Sequence, residues 1–242
     1  MEIVLIIFAV IIASSIGTLT GFGTSTLLVP VMLSFYPNSV PQTLLFVGII
    51  HWFGNIWKLL LFRKGFQWKL ILSFGIPGIA ATYLGAELVF DISTALLLRI
   101  LGSFLIIYVI SLFAKSSFKI KQSLLAGACG GALSGFFAGL FGMGGAIRGV
   151  FLTSFDLPKA VYIATAGAIA LTIDTTRLTT YIINDARLPR LLFLGLIAFI
   201  PASFLGARIA RSVVDKIPQK HFRKVVAAFL LLMGLKLLLF PK

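Results

Sequence analysis

Gly139-Leu140-Phe141-Gly142-Met143-Gly144-Gly145 interrupts an apolar run that extends from residue 122 to residue 155. As one straight helix that run would measure about 50 Å at ~1.5 Å per residue, well beyond the ~30 Å of hydrocarbon that one crossing needs. Closely spaced glycines disfavour a continuous helix and permit a sharp turn. The run therefore reads as two half-helices joined by an unwound tip. A second over-long run, residues 3–36, is broken in the same way by Gly21-Phe22-Gly23-Thr24-Ser25-Thr26.

Working outward, apolar stretches fill the rest of the 242 residues, at roughly 40–62, 69–90, 93–114, 158–183, 190–210 and 222–240, so eight segments are expected in all. With 59% hydrophobic and 12% charged residues and a mean hydropathy of +1.08, a water-soluble domain is excluded. Disorder, collagen and a disulfide scaffold are excluded too, since there are 23 Phe, 9 Pro and a single Cys, Cys129. The opening apolar stretch has no basic residue before it and continues to Tyr36, so it is read as retained rather than as a cleaved secretory signal. The net charge of +14 is not a nucleic-acid signature here. Its Lys and Arg lie mostly in short breaks between apolar runs, where they face a membrane surface.

A shift of 121 residues superposes Gly21 and Gly23 on Gly142 and Gly144, and Leu84-Gly85-Ala86 on Leu205-Gly206-Ala207; nearby offsets bring Pro77 to Pro201 and Arg99 to Arg223. The chain reads as two copies of one unit, 1–118 and 119–242, forming one membrane domain. If all eight segments crossed, basic residues would divide almost evenly between the two sides. If segments one and five re-enter on their own side, Arg99, Arg187, Arg190, Lys236 and Lys242 stand on one side. Lys58, Arg63, Lys64, Lys69, Lys115, Lys119, Lys121, Lys159, Arg208, Arg211, Lys216, Lys220, Arg223 and Lys224 stand on the other. The positive-inside rule selects this second arrangement. The expected fold is an all-α polytopic membrane protein of two inverted repeats, each a glycine-broken re-entrant helical hairpin plus three transmembrane helices. Both termini would then lie outside, with the basic connections 62–69, 114–121 and 208–224 in the cytoplasm.

Inverted repeats with broken helices are a recurring build of secondary transporters, in which rocking of one copy against the other alternates access to a midplane site. At a helix break the first amides lack internal partners, and in hydrocarbon each unpaired amide costs several kcal/mol. A small anion is their natural partner, favoured further by the helix dipole. Gly21, Gly23, Thr24, Ser25 and Thr26 at the first tip, and Gly142, Gly144 and Gly145 at the second, are therefore candidate substrate contacts. Thr24, Ser25 and Thr26 offer hydroxyl donors, and the glycines let backbone come close.

Ionisable residues inside a membrane are costly and mark pathways. Arg148 stands three residues beyond Gly145, where the first copy has Leu27, so this cation breaks the symmetry; it faces either the substrate or an internal partner. Asp174 and Arg177 share a helical face; a self-neutralising pair is the simpler reading for Asp174, with Arg177 lending charge to the anion. His51, Asn55 and Lys58 form a polar stripe on segment two. Lys58 is expected to snorkel to the cytoplasmic surface, while His51 and Asn55 line the pathway and His51 is a candidate carrier of a coupled proton. Glu87 is a second candidate, near its segment's outer end. Trp52, Trp57 and Trp68 are expected as membrane anchors. Cys129, in Gly127-Ala128-Cys129-Gly130-Gly131, is expected in close helix packing, with contact to a sulfur-bearing ligand as the alternative.

No glycine-rich loop ending in Lys-Ser or Lys-Thr occurs, so ATP is not expected to drive the protein. Two His and one Cys argue against a transition-metal centre. No cofactor, metal or catalytic residue is expected. The expected partners are a small anion, the lipid bilayer and a coupled proton or other ion, with a homodimer as an open option and no nucleic acid. A passive anion channel is the alternative; it would show flux that neither saturates nor concentrates. An intramembrane enzyme would gather acids or histidines at one membrane face, which this chain does not.

Two glycine-rich hairpins, Gly17 through Pro30 and Gly135 through Phe151, each followed by three apolar helices, resemble the sulfite exporter TauE/SafE family over essentially the whole chain. The second hairpin matches the family's glycine signature, as do Pro201 with Leu205-Gly206-Ala207 and Arg223 with Gly234. The first hairpin departs from it, with Thr24-Ser25-Thr26 where the family commonly has further glycines. The resemblance implies export of small sulfur-containing anions, such as sulfite, sulfoacetate or other organosulfonates, across a bacterial cytoplasmic membrane. The residues themselves reach only a small anion; the sulfur comes from the resemblance.

Overall fold

A computed structural model describes residues 2–20, 23–36, 40–62, 65–113, 121–213 and 219–241, with 112–113 and 219–226 as backbone only. Every regular element among them is helical: α1 (Glu2–Thr20), α2 (Ser25–Phe35), α3 (Val40–Leu61), α4 (Trp68–Asp91), α5 (Thr94–Phe113), α6 (Leu124–Phe141), α7 (Gly144–Leu152), α8 (Lys159–Ile183), α9 (Arg190–Val213) and α10 (Gln219–Leu239). A single 3-10 turn, Thr153–Phe155, follows α7. Helices satisfy their backbone groups within one segment, as hydrocarbon demands. Their outward faces are apolar: Ile76, Leu125, Ile183 and Ile197 are all exposed. Such a surface suits lipid rather than water.

Each expected segment corresponds to one helix or one broken pair. The breaks fall late in their segments, so the arms are unequal rather than two matching half-helices. The first arms, α1 and α6, have 19 and 18 residues and the second arms, α2 and α7, have 11 and 9. Among the described residues six helices are long and apolar enough to cross a membrane: α1, α3, α4, α5, α6 and α9. Of the six expected to span, α3, α4, α5 and α9 are among them. α8 is long enough, at 25 residues, but carries Asp174, Arg177 and several threonines; among the described residues the apolar part of α10 is Ala227–Leu239.

Packing follows a reciprocal pattern. The first arm of each hairpin lies against the fourth helix of the other half, α6 on α4 and α1 on α9, while α3 pairs with α8 and α5 with α10. Glycines set these distances. A Cβ on Gly135 would stand 2.8 Å from Gly78 Cα, one on Gly206 2.5 Å from the Ile11 carbonyl, and one on Gly102 2.6 Å from the Gly234 carbonyl. Hydroxyls stitch the same seams, Thr82 Oγ1 donating to the Gly135 carbonyl at 3.0 Å and Ser15 Oγ to the Gly206 carbonyl at 3.0 Å. Close backbone approach through small residues replaces the hydrophobic drive that lipid removes. Cys129 does not share in it: its glycine neighbours face α4 and α7, but its own side chain is exposed.

Candidate functional site

Both tips turn on glycine in the left-handed region, Gly23 at φ +90° and Gly142 at φ +71°, where a side chain costs ~1–2 kcal/mol. Each folds an amide back on a carbonyl six residues earlier, Gly23 N–H on Gly17 at 3.0 Å and Met143 N–H on Phe137 at 3.3 Å. The second arms start at Ser25 and Gly144, and neither carries a side-chain cap. Gly21 lies outside the described residues. Thr24, Ser25, Thr26, Gly144 and Gly145 are all buried, and Thr24 Oγ1 lies 3.4 Å from Ser14 Oγ on α1.

The polar stripe of α3 meets α8 beside these tips. His51 stands midway along α3, and its Nδ1 lies 2.7 Å from Asp174 Oδ2. Asn55 Nδ2 donates to the same oxygen at 2.8 Å, and Lys58 Nζ donates to Asn55 Oδ1 at 3.0 Å. Arg177 Nε lies 2.9 Å from Asp174 Oδ1, an ion pair that lacks hydrogen-bond geometry. Asp174 and Arg177 do pair across one helical turn. Asp174 is also the hub that holds His51 and Asn55 of α3.

Arg177 reaches both hairpins. Its Nη2 donates to Ser25 Oγ at 3.4 Å, and its Nη1 lies beside Gly142, in the space that a Cβ there would fill. At the other tip the missing Cβ of Gly23 faces His51 Nε2. His51 Nε2 and Arg177 Nη1 are both buried without a hydrogen-bond partner. Arg148, 3% exposed, feels the charges of Asp174 and Arg177, and its Nε has no hydrogen-bond partner. Of the expected site residues that are described, all lie at or beside the tips.

Three expectations change. Lys58 does not snorkel: it is 4% exposed and bonded to Asn55, because a polar partner one turn away outweighs the reach to the surface. Trp52 and Trp57 are half-buried and bonded to neighbouring helices. They donate to Thr175 Oγ1 at 2.9 Å and to Ser203 Oγ at 3.0 Å, joining α3 to α8 and α9; Trp68, at 66% exposure, is placed as an anchor would be. Glu87 accepts from Asn184 Nδ2 at 3.0 Å, away from the Asp174 cluster. Tyr181 and Ser14 escaped the sequence reading. The Tyr181 hydroxyl donates to the Gly139 carbonyl at the second hairpin, and its position one turn beyond Arg177 was the available signal.

The described residues include no group of His, Cys, Asp and Glu side chains that could hold a metal ion. Asp174 is the one buried carboxylate among them, against three buried cations, Lys58, Arg148 and Arg177.

Comparison with known proteins agrees with this build. The family model of the sulfite exporter TauE/SafE matches residues 6–237. A protein of Methanocaldococcus jannaschii described as a probable membrane transporter is 28% identical over 264 residues, covering 97% of this chain and 95% of its own length. No solved structure matches the chain. With six candidate spans, and with a family model that covers nearly all of its length, the chain is a multi-pass membrane protein and belongs to the sulfite exporter TauE/SafE family of membrane transporters.

Proposed function

We propose that the protein is a secondary transporter of small sulfur-containing anions, such as sulfite or an organosulfonate, which bind between the two hairpin tips. The observation that carries this reading is the buried excess of cations over carboxylates beside uncapped helix starts. Buried charge of one sign is costly unless an opposite charge reaches it. An oxyanion supplies that charge and accepts from Arg177, Arg148 and the tip amides together. The family name supports the sulfur.

The reciprocal packing of α1 on α9 and α6 on α4 supports two inverted copies, divided near residue 118. With the basic connections in the cytoplasm and both termini outside, the site would sit at the middle of the cytoplasmic membrane and open alternately to each side. Outward transport is the direction that the family name suggests.

Calorimetric titration of sulfite into purified, detergent-solubilised protein tests the site, with sulfate and taurine as comparison ligands. Saturable sulfite binding is expected, weakened at least about tenfold in Arg148→Ala, the loss of one charge-assisted bond, with thermal unfolding unchanged. A folded wild type that binds neither sulfite nor an organosulfonate would overturn the anion reading. Saturable uptake in liposomes then separates a transporter from a channel.

A further inference from the structure

We propose that the site takes up its anion together with one proton, held between His51 Nε2 and an oxygen of the anion. This rests on the anion site described above and names its coupling ion. The geometry leaves His51 no other arrangement. Asp174, ionised beside Arg177, only accepts hydrogen bonds. Its Oδ2 lies 2.7 Å from His51 Nδ1, so Nδ1 carries a hydrogen whatever the charge of the ring. Asn55 Nδ2 gives one of its two hydrogens to the same carboxylate oxygen at 2.8 Å, and its 3.4 Å approach to Nδ1 is the longer and weaker contact beside the 2.7 Å carboxylate.

A neutral ring protonated at Nδ1 presents a bare lone pair at Nε2. That nitrogen is 4% exposed as part of His51, has no partner, and points at Gly23, where the first tip unwinds. An ionised oxyanion at the tip also presents lone pairs. Two acceptors repel, and one proton between them turns repulsion into a charge-assisted hydrogen bond. The proton comes from the aqueous phase when the anion arrives fully ionised, and with the anion when it arrives protonated. The step forms an Nε2–H bond and breaks the donor's bond to that proton, in hydronium or a buffer acid in the first case and the anion's own O–H in the second; no electrons are transferred.

The charged groups that face the ring are Asp174 and Arg177 from α8 and Lys58 from α3 itself. Arg148 of α7 faces Asp174 behind it. Among the described residues α1, α2 and α9 bring no titratable group to it. The second tip differs. The guanidinium of Arg177 stays protonated at any working pH, so the proton belongs to the first tip alone.

Titration of the full-length protein in detergent with a fully ionised alkanesulfonate, in buffers of differing ionisation enthalpy, counts the protons. About one proton per anion is expected, with apparent affinity falling about tenfold per unit rise in pH above the free ring's titration. His51→Gln keeps an amide donor near Nε2 but cannot titrate; weaker binding, no proton count and a flat pH profile are expected. Lys58→Gln is expected to keep a count of one. A wild-type count near zero would overturn the proposal, as would a count of one that survives in His51→Gln or vanishes in Lys58→Gln. The wild-type count decides alone if a variant fails to fold. Failure of the anion site shows differently, as no binding at any pH, and takes this proposal with it.

Discussion

At the first hairpin Gly23 turns the chain at φ +90° and an imidazole nitrogen faces it; at the second Gly142 turns it at φ +71° and a guanidinium nitrogen faces it. Both tips fold an amide onto a carbonyl six residues back, although the turning glycines differ in register, Gly23 lying 121 residues before Gly144 rather than Gly142. The side chain aimed at each tip differs as well. One presents a bare lone pair that can take up a proton, and the other keeps its proton at any working pH. Around the first tip stand hydroxyls, Ser14, Thr24 and Ser25; around the second, glycine and a permanent cation. Two glycine turns thus end beside unlike side chains.

The harshest way to break this comparison is to remove what the two tips share. Asp174 holds His51 for one and Arg177 for the other, so Asp174→Ala leaves both unanchored and removes the one described buried carboxylate. A loss of about 3–5 kcal/mol is expected, typical of stripping one partner from a buried ion pair, read as a collapse of the thermal unfolding midpoint in detergent. An unchanged midpoint would mean that the cluster contributes no stability.

Next come the turns themselves. Gly142→Ala and Gly23→Ala each force a side chain into left-handed backbone at ~1–2 kcal/mol, a similar thermal penalty in both. Their effects on anion binding should diverge. Gly142→Ala pushes against a guanidinium already fixed by Asp174 and Ser25, and is expected to abolish binding at all pH. Gly23→Ala crowds the imidazole and is expected to leave residual binding with a smaller pH dependence. Identical binding profiles for the two variants would erase the distinction between the tips.

The smallest effect is expected at the hydroxyl. Ser25→Ala removes a long 3.4 Å bond from Arg177 and should cost at most about 1 kcal/mol, seen as a minor loss of anion affinity. The residue 121 positions further on is Ala146. A large effect would show that the first tip's hydroxyl orients the guanidinium for both hairpins.

The hairpins were legible in the sequence because glycine clusters within apolar runs have few other uses, and the break positions agree within two residues. The stripe His51, Asn55, Lys58 was legible from helical spacing. Its meaning was not, because the group that organises it, Asp174, lies 119 residues beyond Asn55 and only tertiary packing of α8 on α3 joins them. Lys58 was misjudged for the same reason: snorkelling is reckoned along one helix, whereas its partner, Asn55, is held by another. Trp52 and Trp57 likewise carry the composition of a membrane belt, but their ring nitrogens find hydroxyls on α8 and α9.

The glycine seams limit which parts can move as bodies. Where a Cβ on Gly131 would stand 2.7 Å from Phe74 Cα, and one on Gly139 2.7 Å from the Ala86 nitrogen, backbone rests on backbone with no side chain between to act as a bearing. α4 and α6 come from opposite halves of the chain, as do α1 and α9. Swinging one half against the other would shear both seams at once. The short arms lie outside both seams, α2 tied to α8 through Ser25 and Arg177, and α7 resting on its own first arm where Gly144 meets the Ser134 carbonyl.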